Sequence, residues 1–207
     1  MIAYLGMPRC ASSWLYNNLK HIETGELVKE PHTLYTNPVN LDNYCNNRVL
    51  DFSTNNWSMD SNVAKAVDAY VTDYILIVRD PIDLAVSYKS LFNSEQSLDD
   101  FISTMIINKL VCYGDIIERW YTLVDPNKIH IYDYNDLQAD NTKFITNITS
   151  VLGINSPLVV NNTKINISKN KEYTIISDKN LLVLQQQVDK FNKITNQLFN
   201  ITINNKL

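Results

Sequence analysis

Short apolar runs alternate along the chain with longer stretches in which apolar residues recur at helical spacing. Ile2, Ala3, Tyr4 and Leu5 form the first run, a buried strand broken by Gly6. Trp14, Leu15 and Leu19 then recur as a helix would place them. Residues 26–29 predict a second short strand that exits into Glu30, Pro31 and His32, where Pro31 stops any extension. Residues 37–47 read as polar loop, and 48–52 as a third strand running into the polar stretch 53–57. A helical face follows over 60–71, carried by Val63, Ala66, Val67 and Tyr70.

The run from Tyr74 to Val78 is the strongest strand, and its unbroken apolarity suits a central parallel strand covered on both faces. Asp80 and Pro81 predict an N-cap and first turn for a helix reaching about Phe92. Residues 97–124 read as mostly helical, through Ile106, Leu110, Tyr113, Ile117 and Trp120. A strand over 128–132 and a helix over 141–152 closed by Gly153 come next. Residues 155–173 are polar and basic, and a last amphipathic helix spans about 178–199. Strands alternating with helices predict an α/β fold: a three-layer parallel sheet in one domain over 1–207. Ligands bind such sheets beyond the carboxyl ends of the strands. Arg9, Glu30, Ser53 and Arg79 each follow a strand and are expected to converge there.

Hydrophobic content of 45% and charged content of 19% are those of an ordinary globular protein. A net charge of −4 argues against a general nucleic-acid or membrane-surface binder. Any anion site must therefore be a local concentration of cations on an acidic body. Cys10, Cys45 and Cys112 have spacings that suit neither disulfides nor zinc, and read as reduced core or loop residues. No apolar stretch could span a bilayer, and the first strand begins at Ile2, so no signal peptide is expected and the reading is cytoplasmic. The Asn-x-Ser/Thr triplets, at Asn56, Asn147, Asn161, Asn166 and Asn200, read as chance in so Asn-rich a chain.

The chemistry concentrates in two stretches. The first is the tight turn Met7-Pro8-Arg9-Cys10-Ala11-Ser12-Ser13 between strand and helix. Such a turn is an anion site, because the N–H groups of the first helical turn and the helix dipole favour negative charge. Arg9 adds a full charge, and Ser12 and Ser13 add hydroxyls. Against the nucleotide-binding pattern G-x-x-x-x-G-K-[ST], Gly6 fits the first glycine and Ser13 the last hydroxyl. Ala11 stands at the second glycine and Ser12 at the lysine, which leaves the loop poorly equipped for a magnesium-bound triphosphate. The plainer alternative is a solvated Arg9 and serines that cap a helix. The second stretch runs from Arg79 and Asp80 to Ser87 and Tyr88, where arginine charge and serine hydroxyl could hold a second phosphate. Two strand exits with separate anion sites suggest a ligand with two separate anionic groups.

At these residues the chain resembles the sulfotransferases that use 3′-phosphoadenosine-5′-phosphosulfate (PAPS) as donor. Their phosphosulfate loop is similar to Pro8-Arg9-Cys10-Ala11-Ser12-Ser13-Trp14-Leu15, and their 3′-phosphate motif to Arg79-Asp80-Pro81 with Ser87 and Tyr88. Lys29-Glu30-Pro31-His32 is like the Lys-Glu-x-His of carbohydrate-type members. Asp51-Phe52-Ser53 resembles an acidic-x-Ser stretch of the family, and Tyr134-Asn135-Asp136-Leu137 and Leu152-Gly153 its closing strand and helix. Three positions depart from the pattern. Ala11 replaces the usual loop glycine, so the backbone there is expected to avoid φ > 0. Leu84 stands where many members carry a second basic residue, and Arg9 where many carry lysine. The family's basic C-terminal loop corresponds loosely to residues 166–171.

The resemblance implies that Arg9, Cys10, Ala11, Ser12, Ser13 and Trp14 bind the phosphosulfate, and Arg79 and Ser87 the 3′-phosphate. It implies sulfuryl transfer to a hydroxyl or amine acceptor, a carbohydrate or small molecule, with no metal. Arg9 and the loop N–H groups would stabilise charge on the leaving oxygen. Glu30 is the favoured base, with His32 positioning it or the acceptor. Lys29 would touch donor or acceptor, and Asp51 and Ser53 the acceptor side. Two other classes stay open: a nucleotide kinase built on the same loop architecture, and a non-catalytic module that binds PAPS or its product, 3′,5′-adenosine bisphosphate (PAP).

Overall fold

A computed structural model describes residues 1–23, 28, 29, 31, 41–92, 94–155, 160 and 175–199. Strand β1 (Ile2–Tyr4) leads through the loop into α1 (Ser12–Leu19). Helix α2 (Leu41–Asn46), strand β2 (Leu50–Asp51), helix α3 (Ser61–Val67) and strand β3 (Asp73–Val78) follow. Then come α4 (Pro81–Phe92), α5 (Leu98–Ile107), α6 (Tyr113–Leu123) and β4 (Ile129–Asp133). Helices α7 (Tyr134–Ala139), α8 (Asn141–Val151) and α9 (Asp178–Phe199) complete the described elements.

The sheet has the order β2-β1-β3-β4, and every pair is parallel. Ile2 pairs with both Leu50 and Asp73, and the long β3–β4 ladder runs from Tyr74 opposite Ile129 to Val78 opposite Asp133. The near-continuous burial of β3 is what its apolar run predicts for an inner strand. From β1 the chain moves to β2 on one side and then crosses to β3 on the other. The order therefore reverses between β1 and β3, and the loop after β1 leaves the sheet at that switch point, where ligands of open α/β sheets bind.

The chain divides into two compact units, each described by itself. The first, Met1–Val78 with Leu123–Ile165, holds the sheet, and its core includes Tyr4, Leu15, Phe52 and Ile75, all buried. The second, Arg79–Thr122 with Asn166–Leu207, is helical in its described residues. Its α4 starts as the sequence predicts: Asp80 Oδ1 accepts from the Ile82 and Asp83 N–H groups, both at 2.9 Å, with Pro81 in the first turn. Leu84, Ala85 and Ser87 form its buried face.

Several expectations change. Residues 41–46, expected within a polar loop, form α2 with Cys45 buried, because Asn and Asp favour turns in a sequence reading yet tolerate a short helix. Val28 and Lys29 are not strand, although the Lys29 carbonyl accepts the Phe52 N–H at 3.2 Å; residues 26 and 27 lie outside the described residues. Tyr134 to Leu137, expected as closing strand, are the start of α7, because Asp133 Oδ1 accepts the Asn135 N–H at 2.8 Å and so caps a helix. The helical stretch 97–124 is broken at Lys109 (φ 58) into α5 and α6. Of the polar stretch 155–173 only residues 155 and 160 are described, and the basic segment 166–171 lies outside.

Candidate functional site

The loop after β1 takes its shape from two left-handed residues, Arg9 (φ 70) and Ala11 (φ 64, ψ 16). Ala11 therefore does not avoid positive φ, contrary to the expectation from its missing glycine. The loop imposes the glycine conformation on alanine at a cost of about 1–2 kcal/mol. Helix α1 begins immediately after Ala11, with no side-chain cap and no acidic residue in its first turn. The serines therefore do not cap the helix; they are its first two residues, Ser12 buried and Ser13 exposed. A helix start whose own cap residue and first turn offer neither acceptor nor carboxylate has N–H groups and a dipole that favour an anion. Arg9, partly exposed, adds the full charge. Trp14 fixes the helix from beneath, its ring tilted on Phe144 at 6.2 Å.

Tyr4, wholly buried in β1, was not among the residues that sequence reasoning singled out. Its hydroxyl donates to the Cys10 carbonyl at 2.6 Å, and its ring stacks on Phe52 at 5.5 Å with 14° between the planes. In an extended chain residues two apart share a face, so the Tyr4 side chain lies over Gly6. A Cβ at Gly6 would collide with the Tyr4 hydroxyl and Cζ. The signal was present in the sequence as a tyrosine two residues before a glycine, but only the fold shows that one serves the other.

Asp51 and Ser53, at the end of the neighbouring strand, are both fully buried. The Asp51 carboxylate accepts from the Tyr44 hydroxyl (2.8 Å), the Ser53 N–H (2.9 Å) and the Asn56 amide (3.2 Å). Burial, followed by the Asp51 charge, pushes the Tyr44 phenol well above its ordinary range. Asp51 thus lies beneath the β2 exit and braces it. Lys29 joins this exit through its carbonyl, and desolvation lowers its ammonium to about 8. Glu30 and His32 lie outside the described residues.

Arg79 is the residue after the last of β3 and opens the second unit. Ser87 is buried on α4, and Tyr88 beside it meets Phe92 edge-on at 5.1 Å and Phe101 at 6.4 Å. Leu84, at the position where the resemblance puts a second basic residue, is buried on α4. Of the four residues expected at strand exits, Arg9 and Ser53 leave adjacent parallel strands of one sheet. The Tyr4–Phe52 stack ties those two exits together.

Cys10, Cys45 and Cys112 are buried and form no disulfide. Among the described residues, no group of three or more His, Cys, Asp or Glu side chains could hold a metal, and no helix is long and apolar enough to cross a membrane.

A parallel sheet with a strained loop and a helix start at its switch point defines an α/β protein of the kind that takes ligands beyond the ends of its strands. A family model for the sulfotransferase domain matches residues 2–196, and the chain belongs to the sulfotransferase family. Among solved structures, a sulfotransferase from Alicyclobacillus acidocaldarius superposes with a TM-score of 0.64 at 12% identity, over 93% of this chain and 94% of that one. A mouse sulfotransferase complexed with PAP superposes with a TM-score of 0.50 at 15% identity, over 93% of this chain and 65% of that one. At these identities the likeness is one of fold. No curated protein matches the chain.

Proposed function

We propose that this chain transfers a sulfuryl group from PAPS to a hydroxyl or amine of a carbohydrate or small molecule. The observation that carries the reading is the loop before α1: two left-handed residues, an arginine, and a helix start without cap or carboxylate. The family match, which runs through residues of both units, supports treating 1–207 as one sulfotransferase domain.

Arg9 and the loop from Cys10 to Trp14 take the phosphosulfate end of the donor; Arg79 and Ser87 take the 3′-phosphate. In the reaction the acceptor oxygen or nitrogen attacks sulfur while the bond from sulfur to the bridging oxygen of the 5′-phosphate breaks. PAP leaves with the bonding electron pair, and the acceptor's proton passes to a base. Charge accumulates on the bridging oxygen, where donors fixed in advance lower the barrier most. Arg9 stabilises that charge without protonating it, since a guanidinium stays charged. Glu30 is assigned as base and His32 as its helper on the Lys-Glu-x-His motif. Lys29 faces donor or acceptor, with Asp51 and Ser53 as the framework of the acceptor side. A sulfuryl group carries less charge than a terminal phosphoryl group, so the step needs no metal to neutralise it.

Calorimetry tests this reading. The protein should bind PAP and show no comparable heat with magnesium-ATP. Binding of magnesium-ATP in place of PAP would move the chain to phosphoryl transfer. Binding of PAP without turnover of PAPS on an acceptor panel would make it a binding module.

A further inference from the structure

We propose that Tyr4 is a positioning residue for the donor. By holding the Cys10 carbonyl, it turns the N–H of Ala11 toward the donor's anionic end.

The peptide joining Cys10 to Ala11 is planar and trans, as every described peptide is. In a trans peptide the carbonyl and the N–H point in opposite directions. The carbonyl is fixed inward by the Tyr4 hydroxyl at 2.6 Å. The Ala11 N–H therefore points away from Tyr4, at the head of α1. Ala11, whose φ is one of the two torsions about this peptide, is at positive φ, as is Arg9 one residue before Cys10. Each costs free energy in that conformation, and the buried hydrogen bond offsets part of the cost. Without it, rotation of this one peptide would relieve the strain at Ala11 and turn its N–H inward.

Two further observations fix Tyr4 itself. Gly6 leaves the space that its hydroxyl occupies, and Phe52 clamps its ring from the β2 exit. Phe52 also donates its N–H to the Lys29 carbonyl. One buried tyrosine thus sets the donor loop and joins it to the strand exit that carries Lys29. Burial drives its phenol well above its ordinary range, so it acts as a neutral donor at working pH.

The inference rests on the donor reading above, and the test separates the two. Binding of PAP and of adenosine 3′-monophosphate is measured by calorimetry for the wild type, Tyr4→Phe and Gly6→Ala, with melting curves to show that each is folded. Tyr4→Phe should weaken PAP about tenfold, the scale of one buried hydrogen bond, and leave the 3′-monophosphate unchanged. Gly6→Ala, which displaces the Tyr4 hydroxyl, should produce the same selective loss and carries the test if Tyr4→Phe does not fold. Unchanged PAP affinity in the folded variants, or equal losses for both ligands, overturns the role of Tyr4 while the donor reading stands. A wild type that binds neither ligand overturns the donor reading and this inference with it.

Discussion

Ala11 occupies a backbone conformation that glycine adopts without penalty, and no side chain caps the helix it precedes. The stability lost there is recoverable. Ala11→Gly should raise the unfolding free energy by about 0.5–1 kcal/mol, the left-handed penalty less the extra freedom of glycine in the unfolded chain. Urea denaturation reads this directly, and a loss of stability would mean that the loop does not hold Ala11 at positive φ. Lys29 makes a pH-dependent prediction. Desolvation places its ammonium near 8, so its charge is present below that pH and lost above it. If Lys29 faces the anionic donor, the donor's KM should rise as pH passes about 8 and flatten in Lys29→Gln. An unchanged profile in the variant would put Lys29 elsewhere. The candidate residues Arg9, Ser12, Ser13, Arg79 and Ser87 stood out in the sequence by their place after strands and by the family motifs they resemble. Tyr4, Tyr44 and Asn56 did not, because their bonds cross from one element or loop to the next at separations that no helix, strand or motif spacing marks.

At the scale of elements, two helix ends show what a sequence reveals. Helix α8 closes with bonds from the Gly153 N–H to Ser150 (3.3 Å) and from the Ile154 N–H to Thr149 (2.8 Å). Helix α5 closes with the same pair, from Lys109 to Ile106 (3.0 Å) and from Leu110 to Met105 (2.8 Å). Glycine announces such an end; lysine in the same left-handed position does not, which is why the break at Lys109 was not marked within the mostly helical stretch 97–124. Helix α9 is held to α5 by Asp99, whose carboxylate accepts from the Ser177 N–H and hydroxyl, each at 2.9 Å, and from the Asn180 amide at 2.6 Å. The Ser177 N–H, followed by the Asn180 amide, holds the Asp99 carboxyl below its ordinary range. A carboxyl lowered in the folded state contributes stability that is complete above its unfolded value, about 4, and is lost as pH falls through the folded one. Hydrogen exchange in α9 should therefore quicken at acid pH ahead of the sheet, and Asp99→Asn should remove that pH dependence. Equal acid sensitivity in wild type and variant would place the acid-labile contact elsewhere.

For the whole molecule, alternation of strands and helices was enough to predict a parallel α/β sheet, and the strand order β2-β1-β3-β4 places the loop after β1 at the reversal. The division into a sheet unit and a helical unit was not legible, because no change in composition marks Arg79 or Thr122. To hold the proposed polyanionic donor, a chain of net charge −4 would have to concentrate its cations, and Arg9 and Arg79 lie where two strands end. The most direct measurement is turnover of PAPS labelled in its sulfuryl group, with an acceptor panel and excess EDTA. The account predicts labelled product in equal amount to the PAP released, undiminished by EDTA and reduced about 10²–10³-fold in Arg9→Ala. Wild-type turnover that requires added magnesium, or an Arg9→Ala protein as active as the wild type, would contradict it.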